Sequence, residues 1–116
     1  MRIGFNPQKD KEQAPNDFFH QVVIPVYIPN QEGYFKDSFT ILKLCLNSLF
    51  KTSHIQTYFT VVNNGSCCEV RDYLDDLFQN GKIHEVIHTT NIGYINAMLK
   101  GITGQQFPYI TNADAD

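Results

Sequence analysis

The chain has 116 residues, enough for one domain with a buried core and too few for two. Its apolar share of 42% and aromatic share of 13% are those of a globular protein. A net charge of -3, with nine scattered Lys and Arg, offers no basic stripe and argues against a nucleic-acid partner. Cys45, Cys67 and Cys68 make an odd count with two adjacent, which does not suit a disulfide framework and points to a reducing, cytosolic setting. No apolar stretch approaches the roughly 18 residues of a membrane-spanning helix, and the N-terminal residues carry no signal-peptide core.

Residues 1–17 read as a polar leader, and the folded unit is expected over 18–116. Val22, Val23, Ile24, Pro25 and Val26 form a continuous apolar run, the mark of a strand buried on both faces. Tyr27 to Lys36 holds Pro29, Asn30 and Gly33 and reads as a loop. Asp37 or Ser38 can cap a helix whose apolar positions are Leu42, Cys45, Leu46 and Leu49, ending near Thr52. Tyr58 to Val62 is a second strand, and Asn63, Asn64 and Gly65 turn the chain. Ser66 and Glu69 have the spacing of a capping box, Val70, Leu74, Leu77 and Phe78 line the helix that follows, and Gly81 ends it.

Ile83 to Thr89 is a third strand, Tyr94 to Ile102 a short helix after a turn at Asn91 to Gly93, and Tyr109 to Thr111 a fourth strand. Strands alternating with helices predict an α/β fold with a mostly parallel sheet, a Rossmann-like three-layer sandwich of strand order 3-2-1-4. Tyr109 to Thr111 would be an edge, and an open edge invites self-association.

Four stretches carry chemistry. Asp114 and Asp116 follow the fourth strand, where an α/β sheet binds ligands, and two hard oxygen donors there suit Mn²⁺ or Mg²⁺. The bland alternative is a solvated acidic terminus. Asn63, Asn64, Gly65 and Ser66 end a strand and open a helix, so backbone N–H groups could receive an anion and the amides could pair with a base. The alternative is a plain turn. Asn91 and Gly93 shape a loop, and Ala97 and Gly101 allow close packing of a helix on the sheet.

His84, Glu85 and His88 match the His-Glu-x-x-His zinc pattern, which requires a helix. This segment reads as a strand, where four rises of roughly 3.3 Å separate the two rings. A zinc hydrolase is the remote alternative. Asn64 to Ser66 is formally a glycosylation sequon, and there is neither a Walker loop nor a Gly-x-Gly-x-x-Gly turn.

Together, Val22–Tyr27, Val61–Ser66, Asn91–Ile102 and Tyr109–Asp116 resemble, in order and spacing, the first half of a family 2 glycosyltransferase of the GT-A fold. The resemblance implies a nucleotide-diphosphate sugar donor, a UDP-sugar first, and a saccharide or lipid-linked acceptor. It assigns Pro25, Val26 and Tyr27 to the base and ribose, and Asn63, where the family usually has Asp, to the base edge. Asn91 falls in the same donor site, Asp114 near the ribose, and Asp116, with Asp114, on the metal that bridges the diphosphate. Met98 stands where many members carry Arg, and the loop after Tyr27 is longer than usual.

The resemblance further implies that the acceptor half and the catalytic base lie beyond Asp116, so that this chain binds donor without transferring sugar. It places the protein in the cytoplasm or at the inner face of the membrane, in polysaccharide assembly, with inversion at the anomeric carbon. A non-catalytic nucleotide-binding α/β module is the alternative.

Overall fold

The computed structural model describes residues 18–102 and 107–113. The leader, Asp114 and Asp116 lie outside them. Four strands, β1 (His20–Val26), β2 (Thr57–Asn64), β3 (Glu85–Thr89) and β4 (Tyr109–Asn112), alternate with three helices, α1 (Ser38–Thr52), α2 (Cys68–Gln79) and α3 (Tyr94–Ile102). The sheet has the order β3-β2-β1-β4, and every pairing is parallel. The fold is therefore the α/β Rossmann-like three-layer sandwich that the alternating pattern predicts.

The central strands take the apolar runs because they are covered on both sides. Residues 21–26 of β1 and all of β2 are buried. Alternation then sorts their side chains. Val22, Ile24 and Val26 of β1, with Phe59 and Val61 of β2, meet Leu42 and Leu46 of α1 and Val70 and Leu74 of α2. Val23 and Val62 face the other way and pack on Ala97 of α3. Gly101 lets α3 approach closely: a Cβ there would stand 2.5 Å from Val23 Cγ1 and 3.1 Å from Val62 Cγ2. The small residues on α3 do what their spacing predicts.

Several boundaries differ from expectation, each for a local reason. β1 begins at His20 and includes buried Gln21, whose Nε2 donates to Thr60 Oγ1 (2.9 Å) and to the Gly101 carbonyl (2.8 Å). β2 runs on through Asn63 and Asn64, which pair with His88 and Thr89 of β3 instead of forming the turn. β3 begins at Glu85, not at Ile83. Asp37 occupies the N-cap of α1 without a side-chain hydrogen bond.

The capping box at Ser66 and Glu69 does not form. Cys67 is the N-cap of α2, and the Ser66 hydroxyl is used elsewhere: it donates to the Val26 carbonyl (3.3 Å) and accepts from the Ile28 N–H (3.0 Å). Gly65 (φ +84°) turns the chain, and a Cβ on it would stand 2.8 Å from the Asn91 backbone nitrogen.

Candidate functional site

Because β2 and β3 lie on one side of β1 and β4 on the other, the chain changes direction at β1. Open α/β sheets bind ligands at such a switch point, beyond the carboxyl ends of the strands. A cavity of about 610 Å³ lies there. Its floor is the end of β1, with Pro25, Val26, Tyr27 and Ile28; one wall is the following loop and the start of α1, with Tyr34, Phe35, Ser38 and Ile41; the opposite wall is Asn64, Asn91 and Tyr94.

The two walls differ in chemistry. The loop wall is aromatic: the Tyr27 and Phe35 rings meet edge to face at 5.7 Å, and Tyr34 and Phe35 at 5.1 Å. The loop folds because the Asn30 side chain accepts from the Glu32 N–H (3.0 Å) and a 3-10 turn forms over Gly33–Phe35. Tyr27 is 44% exposed and Tyr34 91%, so both offer ring surface to a ligand.

The other wall is made of amides. Asn64 Oδ1 accepts from the Ile92 N–H (2.9 Å), its Nδ2 donates to Asn91 Oδ1 (3.3 Å), and the same oxygen accepts from the Gly93 N–H (3.1 Å). The Asn112 side chain donates to the Tyr94 hydroxyl, tying the end of β4 to this wall. Among the described residues, no Lys, Arg, His, Asp or Glu lines the cavity.

Of the residues the sequence nominates, Pro25, Val26, Tyr27 and Asn91 line this one cavity. Asn63 does not. It is 3% exposed; its Oδ1 accepts from the Ser66 N–H (3.0 Å) and its Nδ2 contacts His88 Nδ1 (3.0 Å). Its amide braces the fold, and the neighbouring Asn64 takes the place at the cavity wall. Two donors of the expected anion cradle are engaged within the fold: the Ser66 N–H is held by Asn63 and the Cys67 N–H donates to the Ile28 carbonyl (2.9 Å).

The zinc reading fails on geometry. His84 Nδ1 accepts from the Phe59 N–H (3.0 Å), and its ring stacks on Tyr58 at 5.0 Å. Glu85 points to the opposite face, where it accepts from Thr60 (3.0 Å), and His88 pairs with Asp75 (2.7 Å). Among the described residues no group of His, Cys, Asp and Glu converges as a metal site. Asp114 and Asp116 are not among those residues.

Tyr34, Phe35 and Tyr94 are the aromatic lining residues that sequence reasoning passed over, beside Ile28, Ser38 and Ile41. The signal for the first two was present: aromatic residues directly after Gly33, in a loop that follows a buried strand. No protein-family model matches the chain, and no curated protein matches it. Among the described residues, no helix is long and apolar enough to cross a membrane.

Proposed function

We propose that the cavity is the donor site of a metal-dependent glycosyltransferase and takes the nucleoside of a nucleotide-diphosphate sugar. The supporting observation is the contrast between its walls. Exposed aromatic rings on one side suit a base, which stacks without regard to charge. Amides on the other side both donate and accept, as base edges and ribose hydroxyls require.

The described lining of the cavity carries no formal charge, so a diphosphate needs a cation from elsewhere. Asp114 and Asp116, which directly follow the strand tied to Tyr94, have the hard oxygen donors that Mn²⁺ or Mg²⁺ prefers. That ion would offset charge on the departing diphosphate. The sugar acceptor in this reading is a saccharide or lipid-linked hydroxyl, and the reaction side is cytoplasmic.

Calorimetric titration with UDP, GDP and CDP, each with Mn²⁺ and again with EDTA, tests the proposal. The expected result is metal-dependent binding of one nucleotide, lost in Asp116→Asn and weakened in Tyr27→Ala. Absence of binding by a protein that melts cooperatively would overturn it.

A further inference from the structure

The buried amide of Asn63 links a surface ion pair to the cavity floor, and its hydrogen bonds can run in only one direction. The Ser66 backbone N–H can only donate, so the Asn63 atom that meets it at 3.0 Å is the oxygen. The other end of the amide is therefore the NH₂ group, and it donates to His88 Nδ1 at 3.0 Å. Nδ1 is then bare, and the ring proton sits on Nε2, donated to Asp75 Oδ1 at 2.7 Å. Beyond Asn63, the Ser66 hydroxyl holds the Val26 carbonyl and the Ile28 N–H, and both of those residues line the cavity.

We propose that His88 is a proton-sensitive latch on the cavity floor, closed while its Nδ1 is bare and released when that nitrogen takes a proton. An imidazolium would turn two donors, Nδ1–H and the Asn63 NH₂, toward each other. Asn63 is buried, so it has no water to turn to. Rotating its amide satisfies His88 but faces NH₂ against the Ser66 N–H. The conflict therefore passes to Ser66 and to the residue 26–28 segment it holds.

Asp75 on α2 is the charged group that meets His88. Among the described residues no other lies within ion-pairing distance of it, and the group facing it from β2 is the neutral Asn63. Arg71 stands one helical turn before Asp75 on α2, and His84, the other histidine beside β3, is engaged by Phe59.

The latch does not depend on what the cavity binds, and its test needs no ligand. Nitrogen chemical shifts of the His88 ring and hydrogen exchange of single amides are followed as the folded protein is acidified, the shifts themselves reporting when the ring takes its second proton. While the ring carries one proton, that proton is expected on Nε2, with Nδ1 bare. As His88 takes its second proton, the Ser66 amide should lose about threefold to tenfold in protection, the effect of one hydrogen bond. The Phe59 amide, bonded to His84, reports that histidine separately.

Asn63→Asp supplies a carboxylate that accepts from both Ser66 and a doubly protonated His88. In that variant the loss at Ser66 should vanish. A singly protonated ring with its proton on Nδ1, or Ser66 protection that stays flat while His88 takes its second proton in the unaltered protein, overturns the proposal whatever the variant does.

Discussion

One face of the sheet meets α1 and α2 through a continuous apolar core, with Ile24, Leu42, Leu46, Val61, Val70 and Leu74 all without exposed surface. The other face meets α3 through a smaller cluster centred on Val23, Val62 and Ala97, beside hydrogen-bonded Gln21 and Thr60. The first contact is made by area removed from water, which tolerates small displacements. The second is made by close approach and directed bonds, which do not. The α3 face also carries Tyr94 and Asn64 to the cavity. Global stability therefore rests mainly on α1 and α2, and the placement of the amide wall of the site on the α3 face.

Leu46→Ala sharpens this contrast most. It empties a fully buried position of α1 and should cost about 2–5 kcal/mol of global stability. A denaturant midpoint that hardly moves would break the assignment of stability to this face. Gly101→Ala addresses the other face. The added methyl meets Val23, a stiff and fully buried side chain, so about 1–3 kcal/mol should be lost. Hydrogen exchange should show the loss concentrated in α3, with α1 and α2 amides little affected. A uniform loss would mean that the two faces unfold as one unit.

The two faces were unequally legible in the sequence. Leu42, Leu46, Val70 and Leu74 recur at helical spacing, and area-driven packing leaves that signature. The strand order and the closeness of Ala97 and Gly101 could also be read, because alternation and small residues are local patterns. Cavity residues came through where a strand end fixed them, as with Pro25, Val26, Tyr27 and Asn91. The exchange of Asn63 for Asn64 was not legible. Adjacent strand residues point to opposite faces, and β2 continued two residues past its apolar run because His88 and Thr89 paired with it. Ser66 was misread for a related reason: a hydroxyl beside a helix start caps it unless a distant loop, here residues 26–28, offers better partners.

A pH series probes the edge of the first face. His84 Nδ1 accepts from Phe59, and burial among aromatic rings pushes its pKa below the ordinary histidine value of about 6.5. As pH falls, the unfolded chain takes the proton before the folded one does. The contribution of His84 is therefore complete above about pH 6.5 and is lost as pH falls from there through the lowered folded value. Urea midpoints should decline over that window, and less steeply in His84→Gln. An equal decline in both proteins would assign the acid sensitivity to another group.

The smallest effect on stability, though not on behaviour, is expected at the opposite edge. β3 is an edge strand half-covered by side chains, with His84 against aromatic rings and His88 against Asp75. β4 is more open: Phe19 meets the Tyr109 ring edge to face and Tyr94 holds Asn112, yet all four residues are exposed, including Tyr109 at 65% and Ile110 at 41%. An exposed edge with apolar side chains and no charge is a template for another strand. Sedimentation over a concentration series should show a mass that rises with concentration, and Ile110→Lys should flatten it without moving the denaturant midpoint by more than about 0.5 kcal/mol. A monomer at every concentration would show that β4 is protected despite its exposure, and the difference between the two edges would then carry no consequence for assembly.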